Sequence, residues 1–395
     1  PVFGAHHVLK ATRTVVSGRA EALKTGVAVI PKDSGTSAVM PRWTDLRVFL
    51  SADFDVGSAI TLSFGLKAFW IEPRPFGSHD TAPRRHRRWG AESFVVDLRD
   101  LEAERRELMA FLERIATILE EACELDGRST VQFYLWDSLQ LEHLSRVVGR
   151  HLGAILDREG LWHLAWLFPP EELLQNPALS TRQSPITTVR DVVRSVLAVP
   201  VPHYYSLLET ARRYHPQSLP ENLRRFDVHP LFEDALSDQI PSERAHEIWS
   251  RSTSPRHWFT QIETLRRTVA QRLTALEAVV RRLEGDLRPR LPNQAAPRIQ
   301  AIRPPQTPPR LSFDGQLWYA FARLDAGLQQ LEVQELRALP PHAREAKFEC
   351  ARLPERLLGS DEVRALAALG LRPRPGRRVY RLSPDSREVK FKEGD

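Results

Sequence analysis

The sequence is poor in cysteine and lacks several short motifs that mark large enzyme classes. Only Cys123 and Cys350 occur in 395 residues, too few for a disulfide framework or a cysteine-rich zinc site, so a reducing cytoplasm is the expected compartment. No HExxH, GxSxG, GxGxxG or GxxxxGKS/T pattern is present, which argues against a zinc enzyme and against a phosphate-binding loop within these residues. No apolar run approaches the roughly 18 residues that span a bilayer, so no membrane partner is expected.

Arginine and apolar residues are abundant instead. Hydrophobic residues make up 42% of the chain, enough for two or three domains with real cores. Lys and Arg outnumber Asp and Glu by 56 to 50, the sequence pI is about 9.5, and the block RRHRR spans Arg84–Arg88. Because arginine presents a planar, always charged fork, this balance favours an anionic polymer as partner. A high-GC genome as the source of the arginine is the alternative.

The first two thirds of the chain predict an α/β domain. After an N-terminal helix and linker (residues 1–39), residues 47–54 and 59–71 have the composition of a β-hairpin. A basic loop (73–90) and a short strand (93–97) follow. Helical periodicity recurs over residues 101–125, 139–156, 187–199 and 205–214, and the apolar run VQFYLW at 131–136 is typical of a buried central strand. Residues 40–250 are therefore predicted to form a sheet flanked by helices.

The remaining chain predicts long helices. Apolar residues recur every three or four positions over 257–287 and again over 316–339, with a proline-rich connector at 289–309. We expect an antiparallel helical hairpin, or stalk, over residues 256–340. A helical connector (341–374) then leads to alternating residues at 375–395 that are typical of the start of a small β-barrel. Because the chain begins at Pro1 without Met and ends in KFKEGD, it is expected to be a segment of something longer.

Two aspartates at the end of the first strand are candidate metal ligands. Asp53 and Asp55 alternate with Phe54, so on a strand they would face the same side. Paired carboxylates are what Mg²⁺ prefers, and two such ions can clamp the reacting oxygens of a phosphodiester. Asp137, which follows VQFYLW, is the natural third acid. Further candidates are Asp191, Glu209, Asp234 and Asp238. The alternative is that Asp-x-Asp simply opens a turn.

The arginine clusters are candidate nucleic-acid contacts. One is the basic loop with Arg84, Arg85, Arg87 and Arg88. The other is the predicted polar side of helix 257–288, with Arg266, Arg267, Arg272, Arg281, Arg282 and Arg288. The alternative is that this side is an ordinary solvated face. We take Arg266, Arg267, Arg281 and Arg282 as the binding candidates on this helix.

The order TDLRVFLSADFDVGSAITLSFGLKAFW, basic loop, FVVDL, helix and VQFYLWDSLQLEHLSRV resembles the ribonuclease H-like (DEDD exonuclease-like) domain of RecB-like nuclease–helicase proteins. In that family the first strand ends in Asp-x-Glu; Asp53 matches the Asp, and Asp55 stands at the Glu position. Asp137 comes early for the second acid, and Gln140 lies where an acid is expected. Asp238 is the candidate for the last acid. The helices at 257–339 with YRLSPDSREVKFKEGD resemble the stalk and barrel of Upf-like superfamily 1 helicases.

This resemblance implies a ribonuclease H-like mixed sheet followed by the stalk and barrel of an ATP-dependent helicase in DNA repair or genome defence. ATP would be bound by domains outside this segment, and nucleic acid would be the partner, with DNA favoured over RNA. A carboxamide at a ligand position implies a degenerate, non-catalytic site. Two alternatives remain open. One is an active Mg²⁺-dependent 3′–5′ exonuclease using Asp53, Asp55, Asp137 and Asp238. The other is a protein-interaction scaffold in a larger complex.

Overall fold

The computed structural model describes residues 7–31, 40–73, 83–158, 161, 164, 167, 185–201, 204–214, 216–219, 221–224, 238–251, 254–288, 291, 295–299, 344, 355–368 and 380–382. The chain divides into two compact units. One unit comprises Thr14–Ala338 and contains a mixed sheet. The other comprises Pro1–Arg13 and Leu339–Asp395.

The described residues begin with a helix and three successive strands, and helices predominate after Thr188. The strands are β1 Leu46–Phe54, β2 Thr61–Ile71, β3 His86–Val95, β4 Val131–Leu135, β5 Ile186–Thr188, β6 Glu355–Leu357 and β7 Tyr380–Leu382. The helices are α1 His7–Thr25, α2 Leu101–Leu125, α3 Ser138–Arg150, α4 Leu152–Leu156, α5 Val189–Val196, α6 Leu207–Tyr214, α7 Glu221–Arg224, α8 Ser242–Ser250, α9 Pro255–Leu287 and α10 Ser360–Ala368.

The larger unit is built on a five-stranded mixed sheet with the strand order β3-β2-β1-β4-β5. Strand β2 is antiparallel to both β1 and β3, whereas β4 is parallel to β1 and β5 is parallel to β4. This sheet, with helices on its faces, confirms the α/β prediction. The basic sequence at 86–90, predicted as loop, forms the first half of edge strand β3. The three residues of β5 pair with β4, and two of them, Thr187 and Thr188, lie in the stretch 187–199 that was predicted as helix.

Alternate residues of the central strands enter two separate cores. Val48 and Leu50 of β1 pack with α2 and α3, whereas Phe49 belongs to the core that includes α5, α6, α8 and α9. The same alternation separates Phe133 from Tyr134 in β4. Because successive side chains of a strand point to opposite faces, one apolar run supplies both cores. This is why β1 and β4 read as nearly continuous apolar sequence.

Helix α9 packs directly against the sheet. It crosses β2 at Gly65, where an added Cβ would lie 2.5 Å from Val269 Cγ1 of the helix and would also clash with the hydroxyl of Ser51. Ser254 caps the helix through its side chain, and Pro255 occupies its first turn. The placement differs from the stalk predicted over 256–340: an apolar stripe predicts a helix with one buried face, but not the surface that covers it. The second predicted stalk helix lies outside the described residues.

The smaller unit contains a two-stranded antiparallel ribbon, in which Arg356 pairs with Arg381. Helix α10 follows β6 in sequence. Of the predicted barrel segment 375–395, the described residues are Tyr380–Leu382, which form β7. Within the described parts of the chain, no helix combines the length and hydropathy needed to cross a membrane.

Candidate carboxylate site and basic surfaces

Three of the predicted acids meet at one edge of the sheet. Asp53 lies near the end of β1, and Asp137 follows the parallel neighbour β4 by two residues. Because the carboxyl ends of adjacent parallel strands meet at the same edge, the two are brought together. Asp238 joins them from the segment before α8, and Trp136 Nε1 donates to its Oδ2 over 2.8 Å. All three are buried, with exposures of 0%, 2% and 6%.

The cation among these carboxylates is the guanidinium of Arg272 from helix α9. Its Nη1 donates to Asp53 Oδ1, and its Nη2 donates to the backbone carbonyl of Asp238. Only 2% of Arg272 is exposed. Burial lowers the pKa of Arg272, but the charges of Asp53, Asp238 and Asp137 outweigh burial and raise it above its usual value. The carboxylate group is therefore neutralised from within the protein.

The remaining carboxylate oxygens also have protein partners. Asp53 Oδ2 accepts a hydrogen bond from the hydroxyl of Ser63 over 3.2 Å. Asp137 Oδ1 accepts from the backbone N–H of Gln140 over 3.0 Å and so caps helix α3, while its Oδ2 lies 3.3 Å from Arg190 Nη1. Each of these oxygens therefore already has a protein partner, and a divalent ion would have to compete with these partners for its oxygen ligands.

Asp238 combines a raised pKa with hydrogen bonds to two other parts of the chain. Burial raises its pKa to about 6, against the opposing charge of Arg272. Besides the indole of Trp136, its carboxylate accepts the backbone N–H of Leu207 over 2.7 Å. Asp238 thus connects the segment before α8 to the start of α6 and to the end of β4, in addition to contributing charge.

Asp55 has partners different from those of Asp53. It follows a bulge at the end of β1, and its Oδ2 accepts from the N–H of Ser58 over 2.9 Å and lies 3.5 Å from His246 Nε2. Burial alone would raise the pKa of Asp55, but hydrogen bonds from Ser242 and Ser58 hold it well below its usual value. Its carboxylate stabilises the turn between β1 and β2. Asp55 therefore has the turn role that was the alternative to metal binding for Asp-x-Asp.

Two of the other positions considered as ligands, Gln140 and Glu209, also have structural partners. Gln140 is 1% exposed, and its Oε1 accepts the backbone N–H of Ala52 over 3.3 Å. Glu209 pairs with Arg212 within α6, Asp191 lies in the first turn of α5, and residue 234 is outside the described residues. Among the residues that the structure describes, no group of three or more His, Cys, Asp or Glu side chains is arranged to hold a metal ion.

Arg272 is the site residue that sequence reasoning missed. We grouped it with the solvent-facing arginines of this helix, yet it lies three residues after Val269 and four before Leu276, both fully or almost fully buried. Residues at those spacings share a helix face. The periodicity therefore placed an arginine in the apolar stripe, and a buried arginine requires an internal carboxylate partner.

A second buried polar cluster connects the β1–β2 turn to helices α2 and α3. Glu104 of α2 is fully buried and accepts hydrogen bonds from the N–H and hydroxyl of Thr61 and from Arg150 Nη1, over 2.7, 2.8 and 2.6 Å. His143 Nε2 lies 2.8 Å from the same hydroxyl, and its ring stacks on Phe54 with centroids 3.8 Å apart. Burial lowers the pKa of His143 to about 4. The cluster stabilises the turn.

The predicted basic loop is an exposed edge strand with its preceding segment. Arg85 pairs with Glu72 over 2.7 Å, and Arg87 pairs with Glu121. Arg84 donates to the backbone carbonyl of Glu72. With Trp70 and His86, these arginines line a shallow groove of about 520 Å³. The charges of Arg85 and Arg87 are thus balanced locally by carboxylates.

The arginines on helix α9 differ in how they are paired. Arg266 forms a 2.7 Å ion pair with Glu263, and Arg282 forms a 2.7 Å pair with Asp286. Arg281 is 3.6 Å from Glu277, which has further cationic neighbours, and Arg267 is exposed. The helix therefore carries both balanced ion pairs and a region of excess positive charge.

Comparisons of the chain with protein-family models, with curated proteins and with solved structures give no match. Its function is therefore inferred from the geometry of the described residues.

Proposed function

We propose that this chain is a non-catalytic, nucleic-acid-binding segment of a larger ATP-dependent superfamily 1 helicase, with a ribonuclease H-like domain whose carboxylate site is occupied by Arg272. The observation that carries this proposal is the buried guanidinium bonded to Asp53 and to the backbone of Asp238. In such a site the carboxylates of a nuclease centre are retained, but an arginine side chain lies where the metal ion would bind.

Magnesium-dependent cleavage needs an ion with open coordination positions. Such an ion polarises the phosphoryl oxygen and supplies a hydroxide nucleophile from a bound water. A guanidinium balances the same negative charge, but its five N–H groups are donors, and it stays protonated at any working pH. With Arg272 between the acids, Asp53 and Asp137 serve folding and helix capping. Mg²⁺ therefore has no role in this proposal.

The fold and the surface support the nucleic-acid part of the proposal. A mixed sheet with helices on both faces is what the ribonuclease H-like resemblance implies. Exposed arginines on β3 and α9 provide cationic surface. ATP binding, a cytoplasmic location and a role in repair or defence are attributed to the parent protein through the resemblance.

The proposal is tested with end-labelled DNA and RNA oligonucleotides incubated with the chain in Mg²⁺ or Mn²⁺. We expect binding that weakens steeply as salt rises, because phosphate contacts release counterions, and we expect every oligonucleotide to remain full length. Metal-dependent shortening that Asp53→Asn abolishes would overturn the non-catalytic assignment. Absence of salt-dependent binding would overturn the nucleic-acid assignment.

An active 3′–5′ exonuclease is the second candidate. It is favoured by the convergence of Asp53, Asp137 and Asp238 at one sheet edge. It requires Arg272 to leave the acids when substrate and metal bind. The same cleavage assay separates the two candidates.

A further inference from the structure

In the part of the larger unit that the structure describes, one surface carries more cations than carboxylates. Glu277 of α9 is 8% exposed as a side chain and has three cationic neighbours. Lys67 Nζ of β2 lies 2.8 Å from its carboxylate, Arg281 Nη1 of the next helical turn 3.6 Å, and Arg88 Nη1 of β3 3.8 Å. Among the residues that the structure describes, three cations face one carboxylate, an excess of two positive charges. We call Lys67, Phe69, Arg88, Glu277 and Arg281 the Phe69 patch.

The two arginines of the Phe69 patch are held over one aromatic ring. Arg88 is the cross-strand partner of Phe69, and its Cζ lies 5.0 Å from the ring centroid. The Cζ of Arg281 lies 5.8 Å from the same centroid. Cation–π contacts of this kind restrain long side chains without neutralising them. The side chains remain 57% and 53% exposed, so both guanidinium groups can reach a ligand.

Neighbouring ion pairs mark the limits of the patch. One turn further along α9, Glu284 is paired with Arg47 over 2.8 Å. On β3, Arg87 is paired with Glu121. Charge is balanced in both places, so among these described residues the excess cations lie where β2, β3 and α9 meet. An exposed, preorganised excess of positive charge is suited to an anionic partner whose charges are closely spaced.

We propose that the Phe69 patch binds backbone phosphates of nucleic acid without reading its sequence. This inference rests on the proposed function and locates the contact. Guanidinium and ammonium groups contact phosphate oxygens, and such contacts fix the position of the polymer without distinguishing bases. The ring of Phe69 is flanked by Arg88 and Arg281, so it holds these side chains in place. Glu277 holds the cations together and limits the affinity.

The test compares two double variants of the full chain that remove equal charge. R88A/R281A removes both patch arginines. R105A/R106A removes two arginines of α2 that are 46% and 56% exposed, the first paired with Glu102 and the second with Asp97 and Glu107. Binding of labelled duplex DNA of mixed sequence is measured by fluorescence anisotropy as salt is varied. Thermal unfolding of each variant checks that it is folded.

We expect R88A/R281A to reduce the slope of log affinity against log salt by about two, since each duplex phosphate contact contributes about 0.9. The ratio of the wild-type affinity to the R88A/R281A affinity then falls about tenfold between about 50 and 200 mM salt. The control variant should keep the wild-type slope. E277Q should bind more tightly, because it removes the balancing charge, and a changed base sequence should leave affinity unaltered.

Three results overturn the proposal in distinguishable ways. If the wild type binds DNA with a steep salt dependence and R88A/R281A matches it, the patch assignment fails while the proposed function stands. If the wild type does not bind DNA, the proposed function fails as well. If polyglutamate is bound in place of DNA and R88A/R281A abolishes that binding, the patch serves an acidic protein partner.

Discussion

Replacing Arg272 tests whether the carboxylate site depends on its internal cation. Arg272→Ala and Arg272→Met both remove the guanidinium that contacts Asp53 and Asp238, and methionine retains much of the side-chain volume. The acids left behind are at most 6% exposed. Removing one partner of a buried ion pair costs about 3–5 kcal/mol, because the remaining charge is desolvated without compensation. For a unit of this size, that is a fall in Tm of roughly 4–7 °C.

The metal dependence of the variants provides the sharper readout. In Arg272→Ala, the space beside the carboxylates can admit a hydrated divalent ion, so millimolar Mg²⁺ should raise Tm by mass action. Arg272→Met fills that space, and Mg²⁺ should not stabilise it. The wild type and Asp53→Asn/Arg272→Ala should likewise be unaffected. Differential scanning fluorimetry with and without Mg²⁺ measures all four proteins.

The pH dependence has a fixed sign. Without Arg272, Asp238 loses the opposing charge that lowers its pKa, so this pKa rises further above its usual value. The stability deficit therefore grows as pH rises and shrinks as Asp238 is protonated. Arg266→Ala, on the same helix but 51% exposed, is the control and should change stability by less than about 0.5 kcal/mol. An Arg272→Ala protein that unfolds at the wild-type temperature and ignores Mg²⁺ would refute the reasoning.

Two further predictions concern packing and buried titration. His143 is neutral in the folded protein, with a pKa of about 4 against 6.5 when unfolded, so the free energy of unfolding falls by roughly 3 kcal/mol as pH drops through that range. Urea unfolding at several pH values should show a shallower fall for His143→Phe than for the wild type. Equal pH dependence in the two proteins would contradict this. Gly65→Ala should destabilise the protein by about 1–3 kcal/mol through overpacking against Val269. Gly90→Ala, with open space around the added Cβ, should be nearly neutral in thermal unfolding. Equal effects of the two substitutions would contradict the close contact between β2 and α9.

The central strands and the helix at 101–125 could be predicted because their signal is local. Val131–Leu135 is apolar along its whole length since it faces both cores. The first half of β3 was predicted as loop because edge strands carry charged residues, which here are arginines. The strand Ile186–Thr188 has three residues, too few to show a period. Such elements are defined by their neighbours in the sheet and not by their own sequence.

Two acids of the candidate site could be predicted from the sequence, but the arginine that pairs with Asp53 could not. Asp53 and Asp137 follow from the ends of two apolar strands, and the structure brings them to one edge. The alternation that paired Asp53 with Asp55 fails because the strand ends in a bulge between Asp53 and Phe54. Arg272 enters the site from a helix more than 200 residues later in the chain. A tertiary contact of that range has no local signature other than an arginine within an apolar stripe.

The central claim is that Arg272 occupies the place of a divalent ion, and Mn²⁺ binding tests it most directly. Electron paramagnetic resonance of free Mn²⁺ is recorded as the wild-type chain and Asp53→Asn are added in turn. Because the carboxylates are already bonded to Arg272, we predict that both proteins deplete the free-ion signal equally. Mn²⁺ uptake by the wild type that Asp53→Asn abolishes would contradict the account, since it would mean that the acids hold a metal in spite of the arginine.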